Sequence, residues 1–419
     1  MSIFGLKETV VAPLLRAVAG DELPGSELPD RFARATWTGI AEPGDRVAGA
    51  LVSAFGAAGA LTAVVERWDI DRIVTALAAA DAEPANGDEL AKAMERWAPR
   101  LKSSVALVAL KQAARYSVRL VVPGDECWPQ GLGDLGDHAP IALWLRGNES
   151  TLASAGQSIA LVGARAATGY GEHVTMEASA GLVDRGYTIV SGAAYGIDGM
   201  AHRAALASSG QTIAFLAGGV DRFYPSGHEA LLTRIVEVGA VVSELPCGQP
   251  PTRWRFLQRN RLIAAASQAT VVLEAGWRSG SLNTAGHAAA LGRPLGAVPG
   301  PVTSAASAGC HRLIRDFGAT CVTSADEMAE LAPLLEGASS GADDHPQPEQ
   351  RGSDQRGSEQ RSSDQVRVLD ALAPRSARSV EDVAGRAGLS VAQVQTVLGT
   401  LELDGVVVER ENGWVKRQR

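Results

Sequence analysis

A doubly wound α/β domain, preceded by helices and followed by a winged helix, is the fold class that this sequence predicts. Three observations carry the central domain. Six short apolar runs lie between residues 158 and 298, helix-length segments rich in Ala and Leu separate them, and the runs deliver clusters of Gly, Ser, Thr, Arg, Asp or Glu. The runs are Ser158 to Val162, Thr188 to Val190, Gln211 to Leu216, Ala240 to Ser243, Ala269 to Leu273 and Leu295 to Val298. They are continuous rather than alternating, as expected for strands buried on both faces of a parallel sheet. In such sheets ligands sit at the carboxyl ends of the strands, where the polar clusters fall.

Residues 1–34 have little pattern, contain Pro24 and Pro29, and read as a loose leader. Residues 35–118 read as a small helical domain of the SAM or helix-hairpin-helix kind. Gly44 to Phe55, Ala60 to Ala80 and Gly87 to Ala113 repeat apolar residues at helical spacing between Gly and Pro breaks. Residues 119–332 form the α/β domain; its connector, Val121 to Asn148 with Trp128, Pro129, Pro140 and Trp144, is expected on the edge of the sheet. Residues 333–365 read as a disordered linker. Gly337 to Gln365 is nearly devoid of apolar residues and repeats QRGSD, QRGSE and QRSSD, too little to offset chain entropy. Residues 366–419 read as a winged helix: helices at Val366 to Ala373, Ser379 to Ala387 and Ser390 to Asp404, then a hairpin turning at Asn412-Gly413. The third helix offers Gln393 and Gln395 but no Arg or Lys, so it suits a protein contact at least as well as a DNA groove.

Composition sets bounds. A chain of 419 residues, 46% hydrophobic, supports two to three domains, and a net charge of −8 excludes a generally basic coat while leaving room for a local basic site. Cys127, Cys247, Cys310 and Cys321 are scattered, and only Cys310 lies beside a histidine, His311, so neither a metal nor a cofactor is expected. No signal peptide is legible, and no apolar run is read as reaching the length of a membrane span, which predicts a cytoplasmic protein without a membrane partner.

The strand-end clusters carry the chemistry. After the first strand, Gly163, Arg165 and Thr168 lead into a helix, an arrangement of free amides and guanidinium suited to phosphate. After the second come Gly192, Gly196 and Asp198, with Asp198 an N-cap candidate and His202 one turn beyond. The fourth ends at Glu244, the fifth at Glu274, followed by the hydroxyl-rich run Ser279, Gly280, Ser281 and Thr284. Between these strands Arg253, Arg255, Arg259 and Arg261 interleave with Trp254, Phe256 and Asn260. Arginine bridges phosphates, and aromatic faces stack bases, which together suit single-stranded nucleic acid. Four neutralised phosphates would give a salt slope of about −3. A Walker loop is absent, residues 158–330 contain no lysine, and the G-x-G-x-x-G at Gly131, Gly133 and Gly136 follows no strand, so nucleotide hydrolysis and dinucleotide binding are excluded. Asp198, Glu244 and Glu274 could converge for acid/base work or position arginines.

At these residues the chain resembles the DNA-processing protein A family, also called Smf. The resemblance runs from about Trp128 to Val322: VGAR and TGYG at Val162 to Gly171, SGAAYGID with AH at Ser191 to His202, YP at Tyr224, SE at Ser243, RNRLI at Arg259 to Ile263, EA with SGSLNTA at Glu274 to Ala285, and VPGP at Val298. It implies an extended Rossmann-like domain without catalysis that binds single-stranded DNA, loads the RecA recombinase during natural transformation, and pairs as a homodimer. It also implies that Arg165, Thr168, Gly192, Gly196, Phe256, Arg259, Asn260, Arg261, Ser279 and Gly280 line the DNA pocket, with Asp198, His202, Glu244, Glu274 and Thr284 in support. Ala193, Ala194 and Tyr195 depart from the family's SGLARGID, replacing a customary Arg by an aromatic, and His311 stands where an Asn is usual. The rival on the same fold, a nucleotide phosphoribohydrolase, resembles a P-G-G-x-G-T-x-x-E pattern that is absent here.

Overall fold

The computed structural model describes residues 2–20, 22–79, 87–334, 362–410 and 412–417. The tract 335–361, most of the expected linker, lies outside the described residues.

The leader expected at residues 1–34 is instead structured. A short hairpin, β1 (Ser2–Ile3) and β2 (Leu6–Lys7), precedes α1 (Glu8–Ala19) and α2 (Leu28–Ile40). Val11, Leu15 and Val18 make one apolar stripe on α1, and Phe32 and Trp37 are fully buried on α2. Pro29, which reads as a break, sits in the first turn of α2, where a missing N–H costs nothing and a fixed φ favours helix. The remaining helices are α3 (Arg46–Val65), α4 (Ile70–Ala79), α5 (Gly87–Trp97) and α6 (Ser103–Arg115). Helix α3 fuses two expected segments across a kink at Gly56, whose φ of 69° is left-handed. Its residues 47–65 carry no charge, which corrects the expectation that no apolar run has membrane-spanning length. Half of that helix is buried in the fold, packed on α2, where Trp37 Nε1 donates to the Ala57 carbonyl at 3.2 Å.

The connector supplies β3 (Arg119–Val121) and β4 (Leu143–Gly147), and α7 (Glu149–Ala153) follows. The α/β domain then runs β5 (Ser158–Gly163), α8 (Gly169–Asp184), β6 (Thr188–Ser191), α9 (Ile197–Ala207), β7 (Thr212–Phe215), α10 (Glu229–Val238), β8 (Ala240–Ser243), α11 (Arg253–Ala266), β9 (Ala269–Glu274), α12 (Ser281–Ala290), β10 (Leu295–Ala297), α13 (Ala308–Asp316), β11 (Thr320–Cys321) and α14 (Ala325–Glu330). All six predicted strands form. They belong to a nine-stranded sheet of order β11-β10-β9-β5-β6-β7-β8-β4-β3, parallel from β11 to β8, with β4 and β3 added antiparallel at the edge. Apolar clusters cover both faces, which explains the unbroken apolar runs. From β5 the chain winds outward through β6, β7 and β8, then returns to place β9 on the other side of β5. The β5/β9 junction is therefore the topological switch point, where a doubly wound sheet opens a crevice.

The winged helix consists of α15 (Ser363–Ala371), α16 (Val380–Ala387), α17 (Val391–Leu403), β12 (Val407–Arg410) and β13 (Gly413–Lys416). Helix α15 starts three residues before the expected Val366, because Ser362 and Gln365 form a capping box.

Candidate nucleic-acid interface

A cleft of about 580 Å³ opens at the switch point. The end of β5 supplies Gly163 and Arg165, the loop after β9 supplies Arg278 to Ser281, and α11 lays Phe256, Arg259 and Asn260 along one side. Arg165 is exposed, with its guanidinium carbon 4.9 Å from the centre of the Phe256 ring. Arg259 lies 5.8 Å from the same ring but is buried, and its Nη1 donates to the carbonyls of Gly192, at 2.6 Å, and Phe215. Burial lowers the Arg259 pKa to about 10, Asp198 opposes this and Arg165 reinforces it. The guanidinium thus stays charged at neutral pH as the floor of the cleft.

Gly192 makes that floor possible. A Cβ at this position would stand 2.3 Å from both terminal nitrogens of Arg259. Gly192→Ala is therefore expected to displace Arg259 and cost about 1–3 kcal/mol, the usual range for overpacking, in chemical denaturation. An unchanged unfolding midpoint would show that Arg259 is not held there.

The far wall is the start of α12. Gly280 occupies the N-cap position without a capping side chain, and Asn260 Nδ2 tethers the turn through Asn283 Oδ1 at 3.1 Å. Free amides at a helix start, together with Arg165 and Arg278, give this side of the cleft a positive character.

The sequence pattern of the family described as DNA recombination-mediator protein A matches residues 119–333, just over half of the chain. The chain belongs to the DNA recombination-mediator protein A family. The pattern of the DprA winged helix domain matches residues 352–413. A putative DNA processing protein DprA of Mycobacterium tuberculosis is 44% identical over 338 residues, covering 78% of this chain and 84% of the relative. Protein Smf of Escherichia coli is 36% identical over 324 residues, covering 77% and 82%. Among solved structures, DNA processing protein A of Streptococcus pneumoniae superposes with a TM-score of 0.57 at 28% identity, covering 72% of this chain and 97% of that one.

Within this DprA-type domain the predicted site residues divide. Gly163, Arg165, Phe256, Arg259, Asn260, Ser279, Gly280, Ser281, Asp198 and Thr284 all line the cleft. Arg255 and Arg261 do not, which corrects their assignment as phosphate contacts. Arg255 is 3% exposed and clamps Glu42 through Nε at 3.1 Å and Nη2 at 2.8 Å. Arg261 is equally buried and directs Nη2 at both oxygens of Glu244. Arg253 is exposed at the first turn of α11, and its backbone N–H donates to Asp370 of the winged helix.

The anion site expected at the start of α8 is filled from within. Glu274 accepts from the Thr168 backbone N–H at 2.9 Å and from its hydroxyl at 2.6 Å, while Thr168 itself caps Gly171. The register brings Glu274 beside Gly163 at the end of β5, so the carboxylate lands on the helix start. Thr168 is therefore a partner of Glu274 rather than a lining residue. Gly196 adopts φ 73°, and its missing Cβ lets the chain cross the Ala164 carbonyl. It takes the N-cap position of α9 that Asp198 was expected to hold. Asp198 lies inside that first turn and is buried, which raises its pKa against the pull of Arg259 and nearby amides; its carboxylate accepts from Ala194 N–H at 3.4 Å. His202 is a core residue: Nδ1 meets Thr212 Oγ1 at 2.7 Å, and burial, with help from His228 and Arg259, holds its pKa near 3.

Sequence reasoning missed Arg278, which the Gly276–Gly280 loop carries to the rim, and Glu42, the partner of Arg255. The position of Arg278 between a strand end and a helix start was a usable signal. Nothing near Glu42 announced its role.

Proposed function

We propose that this protein is a non-catalytic, cytoplasmic mediator that holds single-stranded DNA in the switch-point cleft and loads a RecA-type recombinase onto it, acting as a homodimer. The observation that carries this reading is the stack of Arg165 on Phe256 at the mouth of a cleft floored by Arg259. A flat aromatic face receives any base, guanidinium groups and helix amides receive phosphates, and neither arrangement needs a paired duplex. The phosphoribohydrolase alternative is disfavoured by the carboxylates: Glu244 is engaged by Arg261, Glu274 by Thr168, and Asp198 is buried.

Titration of labelled single- and double-stranded oligonucleotides tests the reading. With Arg255 and Arg261 paired internally, the exposed cations are Arg165, Arg253 and Arg278. Three phosphates correspond to a salt slope of about −2, hence about a twentyfold loss of affinity between 50 and 200 mM salt. Equal affinity for duplex, or a flat salt response, would overturn it. The recombinase step is read as a shortened lag in filament assembly on the bound strand, and the homodimer as a doubled mass in sedimentation. Release of free base from nucleoside monophosphates would favour the enzyme instead.

A further inference from the structure

The winged helix is docked on the same helix that builds the cleft. Helix α15 packs along the start of α11, and α16 packs on the turn Ala98–Arg100 of the helical domain. Three polar contacts hold it. Asp370 Oδ2 accepts the backbone N–H of Arg253 at 2.8 Å, so a carboxylate of one domain occupies the positive end of a helix of another. The Arg367 guanidinium lies 5.4 Å from the Trp254 ring. Arg100, bonded to Glu42, also donates through Nε to the Gly385 carbonyl at 2.5 Å. Gly388 lets the domains approach this closely, since a Cβ there would meet Glu42 Cγ at 2.5 Å and Arg100 Nη2 at 2.9 Å. The start of α17 is turned inward: Ser390, Val391 and Ala392 line a cleft of about 970 Å³ shared with Pro99, Arg100 and Pro250.

This docking site continues the strand path. Beyond Phe256 the surface opens into a second hollow bordered by Arg222, Tyr224 and Pro251, and Tyr224 stands 5.7 Å from Phe256. Pro251 leads directly to Thr252 and Arg253, the first turn of α11. A strand running from the cleft past Phe256 would bring a phosphate to these amides, where Asp370 already sits.

We infer that the winged-helix domain is an internal competitor of the bound strand: while docked, its Asp370 holds the first turn of α11 in place of a phosphate, and strand binding and docking exclude one another. The inference rests on the strand-binding reading above and adds its regulation. Because the coupling is reciprocal, a bound strand also loosens the winged helix and exposes the inward-turned start of α17.

The test uses the full chain. Asp370→Arg places a cation against the positive end of α11 and beside Arg253. Small-angle scattering without DNA should show a larger radius of gyration, and a labelled oligothymidine should bind about three- to tenfold more tightly than to the wild type. A second variant works in the opposite direction. Arg253→Cys with Asp370→Cys, made in a Cys321→Ser background because Cys321 is exposed, should bind at least tenfold more weakly when oxidised than when reduced, with both forms folded by circular dichroism. Expansion without tighter binding, no expansion, or equal affinity of the oxidised and reduced forms would each overturn the competition while leaving wild-type strand binding intact. If the wild type itself binds no single strand, the strand-binding reading fails, and this inference fails with it.

Discussion

Replacing Glu42 with alanine is expected to lower the unfolding free energy by about 3–5 kcal/mol, the cost of removing one partner from a buried ion pair. Glu42 faces Arg255 and Arg100, whose side chains are 3% and 8% exposed, and alanine would leave two buried guanidinium groups without a counter-charge. The pH dependence gives an independent signature. Burial alone would raise the Glu42 pKa, but Arg255 and Arg100 outweigh it and hold the carboxyl far below its ordinary value of 4.5. A depressed folded pKa contributes stability that is complete above the unfolded value and is lost as pH falls below it. Wild-type protein should therefore lose this contribution progressively on acidification below about pH 5, whereas Glu42→Gln, uncharged throughout, should lack that component. Urea titrations at pH 7 and pH 4 measure both effects. A Glu42→Ala variant within 1 kcal/mol of the wild type at pH 7 would mean that the arginines find other partners.

Phe256→Ala is expected to weaken single-stranded DNA binding about 10- to 100-fold, the loss of one stacked base at about 1–3 kcal/mol. The ring is the shared surface of the site: Arg165 lies over it, Tyr224 is tilted against it, and Arg259 lies close behind. Removing it takes away the stacking face and also frees Arg165 from its fixed position. Since every base has a flat face, the loss should be similar for oligothymidine and for mixed sequences. Phe256 is only partly buried, so the thermal midpoint should move little. Fluorescence anisotropy on both oligonucleotides, beside a melting curve, separates binding from folding. An unchanged dissociation constant would remove the aromatic from the site.

The sheet was legible because burial on both faces writes an unbroken apolar run, and all six runs became strands. The two edge strands were not, because β3 and β4 lie in a connector rich in Trp and Pro whose pairing is non-local. The first helices escaped notice because Pro29 looks the same whether it breaks a helix or begins one. The cleft was legible wherever a residue follows a strand directly, as with Gly163, Arg165 and Ser279 to Ser281. It was not legible along α11, where arginines two residues apart face different neighbours. Spacing identified the helix as basic, but the partner of Arg255 lies 213 positions away, so no local pattern could distinguish an arginine reserved for folding from one offered to a ligand.

The Glu274 clamp on Thr168 has a consequence for what the fold admits. In many relatives of this architecture the first strand-to-helix turn berths the diphosphate of a small cofactor. Here the molecule moors its own carboxylate in that berth, so a lone nucleotide meets negative charge where it would otherwise anchor. A polymer, gripped further along at several points, does not depend on that one mooring. Selectivity for a long strand over the abundant pool of monomers is thereby built in by prior occupancy rather than by any feature that recognises length.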